Sequence, residues 1–127
     1  MLCIFFLDCF NPVEIALLVD TSGTRGALEN ENTLTELKEF AKKLLHSFSI
    51  TETSGRVALV TYSNESKIHK RFGSGHNFWN VEQKINSLLL SNEADRNLAE
   101  ALEFTRENVF SLKGGIRQVG KLLLKII

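Results

Sequence analysis

Asp20-Thr21-Ser22-Gly23-Thr24 puts one carboxylate and three hydroxyls into five residues. These follow an apolar run, Val13 to Val19, broken only by Glu14. Three kinds of chemistry suit that arrangement. In a loop at a strand end, residues spaced by two point at one centre, so Asp20, Ser22 and Thr24 suit a hard cation such as Mg²⁺, which takes six oxygens in an octahedron. A strand-end carboxylate can instead attack a phosphoryl group in line, with a metal alongside. Or Asp20 and Ser22 hydrogen-bond their own loop and shape a turn.

Other chemistry-bearing residues are weaker candidates. His46, His69 and His76 lack the tight i, i+4 spacing of a zinc pair. No nucleophile elbow accompanies a Ser-His-Asp order. Gly73-Ser74-Gly75 is not followed by the Gly-Lys-Ser/Thr of a phosphate loop, so it reads as a plain loop. Phe78 and Trp79 can stack on a ligand, but at helix spacing at least one belongs to a core. The run Lys67 to Arg71, KIHKR, suits an acidic glycan or partner, and equally an edge strand blunted by charge. Asn64-Glu65-Ser66 has the N-glycosylation pattern, at a turn.

The elements that must position these residues follow from pattern. Val13–Val19 reads as a buried strand ending at Asp20. After the polar loop 21–32, Thr33 and Glu36 have capping-box spacing, and Leu34, Leu37, Ala41, Leu44, Leu45 and Phe48 mark one helical face. Arg56 to Tyr62 is a second apolar strand, and Lys67 to Phe72 a short cationic edge strand. Phe78, Val81, Ile85, Leu88 and Leu89 trace a second helix. Asn97 caps a third, with Leu98, Ala101, Leu102, Thr105 and Val109 on one face. The last strand is Lys121 to Ile127. Apolar strands alternating with amphipathic helices predict an α/β fold, a mostly parallel sheet with helices on both faces. Such open sheets bind ligands beyond the carboxyl ends of their strands, where Asp20 lies.

The chain has 127 residues, 43% hydrophobic and 24% charged, with 15 Lys+Arg against 15 Asp+Glu. One domain is expected. A zero net charge argues against nucleic acid as partner and gives no polybasic case for a membrane surface. No apolar run approaches the roughly 20 residues of a membrane-spanning helix. Residues 1–10, apolar but short and carrying Asp8, read as a leader or inter-domain remnant, and both cysteines, Cys3 and Cys9, lie there.

With these landmarks in order, the sequence resembles a von Willebrand factor type A domain over residues 11–127. The motif Asp-x-Ser-x-Thr ends the first strand, FAKKLLHSFSI is similar to the family's first helix, RVALVTYSN to its next strand, and RNLAEALEF to its small-residue loop and following helix. The segments DCFNPVEIALLVDTSG and RNLAEALEFTRENVF are most similar to the A domains of type VI collagen α chains. The resemblance implies a doubly wound, Rossmann-like sheet whose last strand-helix units are missing after Ile127. It implies a non-enzymatic module, secreted to the extracellular matrix, that binds matrix or cell-surface proteins, collagen among them. It also implies a metal-ion-dependent adhesion site at Asp20, Ser22 and Thr24, where Mg²⁺ takes a partner's carboxylate.

Two departures from the family pattern mark that site as degenerate. A threonine ligand is expected six residues before the leucine of the Ala-Leu pair; counting back from Leu102 gives Arg96, a cation. The family's last acid follows the strand that here is KLLLKII, and is absent. The strand-end aspartate is also similar to that of haloacid-dehalogenase-type phosphatases, with Asp20 as nucleophile. That reading wants a second carboxylate where Ser22 stands, and a lysine such as Lys113 or Lys121.

Overall fold

The structure is a computed structural model, and it describes residues 13–48, 50, 55–73, 77–111 and 121–126. The leader with Cys3 and Cys9, His76 and Lys113 lie outside the described residues. In chain order the elements are β1 (Val13–Asp20), α1 (Leu28–Leu45), β2 (Gly55–Tyr62), β3 (Ser66–Lys70), α2 (Phe78–Asn86), α3 (Leu98–Asn108) and β4 (Lys121–Ile126). The strands form one sheet in the order β3-β2-β1-β4. β1 is central and parallel to both neighbours; β3 runs antiparallel to β2 at one edge.

The continuous apolar character of β1 and β2 follows from burial on both faces. Alternate residues point to opposite sides. Ile15, Leu17 and Val19 join Val57 and Leu59 under Leu34, Ala41 and Leu45 of α1 and Val81 and Ile85 of α2. Ala16 and Leu18 join Ala58, Val60, Tyr62 and Phe72 under Ala101 of α3. The sheet is thus covered on both sides, as the alternation of strands and helices predicts.

Glu14, the one charge in the first apolar run, is fully buried, and so nearly is Arg56. The parallel register sets the two side by side on β1 and β2. Arg56 Nε lies 3.2 Å from Glu14 Oε1, and Nη2 donates to Oε2 at 3.3 Å. A buried carboxylate is tolerable only with such a partner.

The capping-box reading of Thr33 and Glu36 is corrected. α1 starts at Leu28 with Ala27 as its flanking residue. Thr33 is already inside the helix, and its hydroxyl donates back to the Glu29 carbonyl at 3.0 Å. The true start is set by acid: Glu29 and Glu31 lie in the first turn, and Glu31 Oε1 accepts from Gly26 N at 3.0 Å. Asn97 caps α3 as its position suggests, accepting from Glu100 N at 3.1 Å. Asn77, which the sequence reading passes over, does the same for α2 through Asn80 N. Phe78 packs into the core and against the His46 ring, while Trp79 stays 67% exposed.

Candidate binding site at the carboxyl end of the sheet

β1 delivers Asp20 to the end of the sheet, and the chain leaves through Thr21 to Ala27. Asp20 Oδ1 accepts from Ser22 N at 2.8 Å, a two-residue side-chain turn that starts the loop. Gly23 has φ +129°, and a Cβ there would stand 2.9 Å from Asn30 Cγ in α1. No other residue fits both the left-handed backbone and that approach.

Two more segments reach the same place, the turn after β2 and the loop 87–97. Thr21 N donates to the Tyr62 carbonyl at 3.0 Å, Gly23 N to the Glu93 carbonyl at 2.7 Å and Ser91 N to the Thr21 carbonyl at 2.9 Å. Arg25 Nε donates to the Leu90 carbonyl at 2.6 Å, and Arg25 N to Asn92 Oδ1 at 2.7 Å. Asn92 holds φ +64°, which its short amide side chain tolerates. The Ser63 hydroxyl donates to Glu93 Oε1, and Asn97 N to the Ser63 carbonyl at 2.7 Å. The Asp20 loop, the Ser63–Glu65 turn and the Asn92–Asn97 loop are therefore one stitched surface. Beside it lies a polar groove of about 610 Å³, lined in part by Thr21, Ser63, Glu65, Ser91 and Glu93.

Arg96 meets both Asp20 and Ser22. Its Nε donates to Ser22 Oγ at 3.0 Å and lies 3.1 Å from Asp20 Oδ2, so the guanidinium is hydrogen-bonded to the hydroxyl and ion-paired with the carboxylate. Among the described residues no other protein group pairs with this guanidinium, and the Arg96 side chain is 71% exposed. Thr24 is exposed, and its carbonyl closes the turn by accepting from Ala27 N at 3.2 Å. Among the described residues no three His, Cys, Asp or Glu side chains cluster as metal ligands would. The phenol of Tyr62 feels the same charges: burial raises its pKa, Asp20 raises it further, and Arg96 lowers it. Asn64 sits exposed in the turn after β2.

Lys121, the described lysine of the phosphotransferase reading, pairs in register with Val13. Asp20 ends the same strand, so about 23 Å of β1 separates the two positions at ~3.3 Å per residue. The sheet thus sets that backbone position at the opposite end from Asp20.

The order of strands, the helices on both faces and a strand-end loop of this kind define a von Willebrand A-type α/β domain. The model of the von Willebrand factor type A domain matches residues 14–126, and the chain belongs to that family. It is 33% identical over 112 residues to the collagen alpha-6(VI) chain of Mus musculus, a match that spans 87% of this chain and 5% of that one. Over 86 residues, 66% of this chain and 8% of the other, it is 31% identical to the collagen alpha-1(VI) chain of Gallus gallus. The chain therefore spans a small fraction of these relatives' length. Among solved structures, proximal thread matrix protein 1 of the mussel byssus superposes with a TM-score of 0.80 at 21% identity, covering 94% of this chain and 31% of that one. A further structure of that protein has a zinc-occupied adhesion motif.

Proposed function

We propose that this domain is an extracellular matrix module that binds other matrix or cell-surface proteins, collagen among them, without catalysis and without a metal ion. One observation carries the metal-free reading: the Arg96 guanidinium donates to Ser22 Oγ at 3.0 Å and pairs with Asp20 Oδ2 at 3.1 Å. A guanidinium in contact with two of the three oxygen donors does not fit a divalent cation at the same centre. It would meet the cation as a like charge and withdraw the electron pairs the metal needs.

The same geometry supplies a substitute. Nε–H faces inward to Asp20 and Ser22, while the outer edge of the planar fork faces solvent, where among the described residues it meets no protein acceptor. A guanidinium offers a carboxylate two parallel N–H groups. The module would then accept an acidic side chain of its partner on Arg96, where the metal of a complete site accepts one. The matrix setting is supported by membership of the family and by the collagen VI relatives.

Calorimetric titration with Mg²⁺ and Mn²⁺ tests the reading. The unaltered domain should give no binding heat, Arg96→Thr should gain it, and Asp20→Ala in the Arg96→Thr background should lose it again. Collagen binding by the unaltered domain should survive EDTA and fall at least tenfold in Arg96→Ala. Metal binding by the unaltered domain that Asp20→Ala abolishes would overturn the reading.

A further inference from the structure

A second concave surface adjoins the strand-end groove and shares His69 and Ser87 with it. It is a cleft of about 580 Å³ between the edge strand β3 and helix α2, lined by His69, Lys70, Arg71, Asn80, Gln83, Lys84 and Ser87. That volume is in the range of ligand sites. Among the described residues every lining side chain can donate a hydrogen bond, four are cationic or can become so, and none is a carboxylate. The whole chain balances 15 basic against 15 acidic residues, so this concentration of one sign is local.

The helix side is built for it. Asn80 and Gln83 or Lys84 on α2, and Ser87 that caps its end, recur at intervals of three or four along one side. The opposite stripe, Val81 and Ile85, packs into the core. α2 thus turns amides and an ammonium towards the sheet edge, and Ser87, just past its end, donates its hydroxyl to the Lys84 carbonyl at 2.7 Å. Trp79 lies one turn before Gln83 on α2 and is 67% exposed, so an aromatic face is free one helical turn from a lining residue of the cleft. An acidic peptide could pair with the same cations, but it makes no particular use of an exposed indole beside them. A sugar chain needs donors for its anionic groups and a flat ring to stack on.

We propose that the cleft between β3 and α2 binds a sulfated glycan chain, its sulfates held by Lys70, Lys84 and the amide donors and a sugar ring resting on Trp79. His69 reports on the site. Burial lowers its pKa, and the charges of Lys67 and Lys84 lower it further. Its Nε2 sits 2.8 Å from the Thr61 hydroxyl. A sulfate between the lysines would offset their charge and draw the His69 pKa upward.

The test uses the whole domain and heparin oligosaccharide as the probe. At about 0.15 M salt we expect binding that weakens tenfold or more in Lys70→Ala/Lys84→Ala and several-fold in Trp79→Ala. The charge-matched Lys43→Ala/Arg106→Ala should bind as the parent does. Proton NMR should show the His69 pKa rising on addition of the oligosaccharide while His46 stays still. No binding, equal weakening in both double variants, an unmoved His69, or equal competition by polyglutamate would each overturn the proposal. The last would mean an acidic-peptide surface.

Discussion

Two arginine–carboxylate pairs lie at opposite ends of the same part of the sheet. Arg56 and Glu14 meet at 3.2 Å near the start of β1, with side chains 10% and 0% exposed; Arg96 and Asp20 meet at 3.1 Å past its end, 71% and 19% exposed. The distances are nearly equal, so distance cannot rank the pairs. Surroundings do. In the sheet interior neither charge can be solvated, so each depends on the other. At the loop surface water and salt compete with the contact, and such pairs contribute about 0–1 kcal/mol. The buried pair is part of the fold, and the exposed pair is a replaceable feature of a binding surface.

Breaking the buried pair should have the largest effect. Glu14→Ala or Arg56→Ala should each destabilise by about 3–5 kcal/mol, because a buried charge loses its opposite charge, and urea unfolding would read it directly. The paired replacement Glu14→Leu/Arg56→Met should recover most of that loss or exceed the parent in stability. If the double variant is as poor as the singles, the pair serves something beyond mutual neutralisation.

At the other end of β1, Arg96→Ala should move unfolding stability by about 1 kcal/mol or less, and that difference should shrink in high salt. A loss as large as that of Glu14→Ala would erase the contrast. The smallest effect sharpens it. Tyr62 is the chain's one tyrosine, so ultraviolet titration reads it alone. Its folded pKa already lies above the usual phenol value, chiefly through burial. Its contribution to stability is therefore complete below the unfolded pKa and is lost as pH rises through the folded one. Arg96→Ala should raise that pKa further, and Asp20→Asn should lower it.

The alternation of strands and helices, the covering of both sheet faces and the strand-end place of Asp20 were legible because they rest on periodicity and on motifs close in sequence. The buried pair was not. Glu14 reads as a flaw in an apolar strand until pairing sets Arg56 beside it, and register is a property of two segments together. Thr33 and Glu36 misled for a related reason. Their spacing is right for a cap, but Leu28 to Asn32 continue as helix once Glu29 and Glu31 occupy its first turn. Arg96 was legible by count as the residue where a ligand belongs; its shared contact with Asp20 and Ser22 depends on how the loop 87–97 is tied to the first loop. The left-handed Asn92 was a usable signal, since asparagine in a polar run is a common choice for that backbone.

The central place of β1 has a consequence for how the chain is made. β1 leaves the ribosome well before β2, and about a hundred residues before β4, its other neighbour. At ~5–20 residues per second the wait is on the order of 10 s. Through it, a strand with two open edges and a run of Ile, Ala, Leu, Leu and Val is exposed to other nascent chains. Glu14 is hydrated during that interval and gives the segment a charge that opposes stacking with its own kind. When β2 arrives, Arg56 neutralises that charge, and the residue that guarded the strand in transit becomes part of its interior.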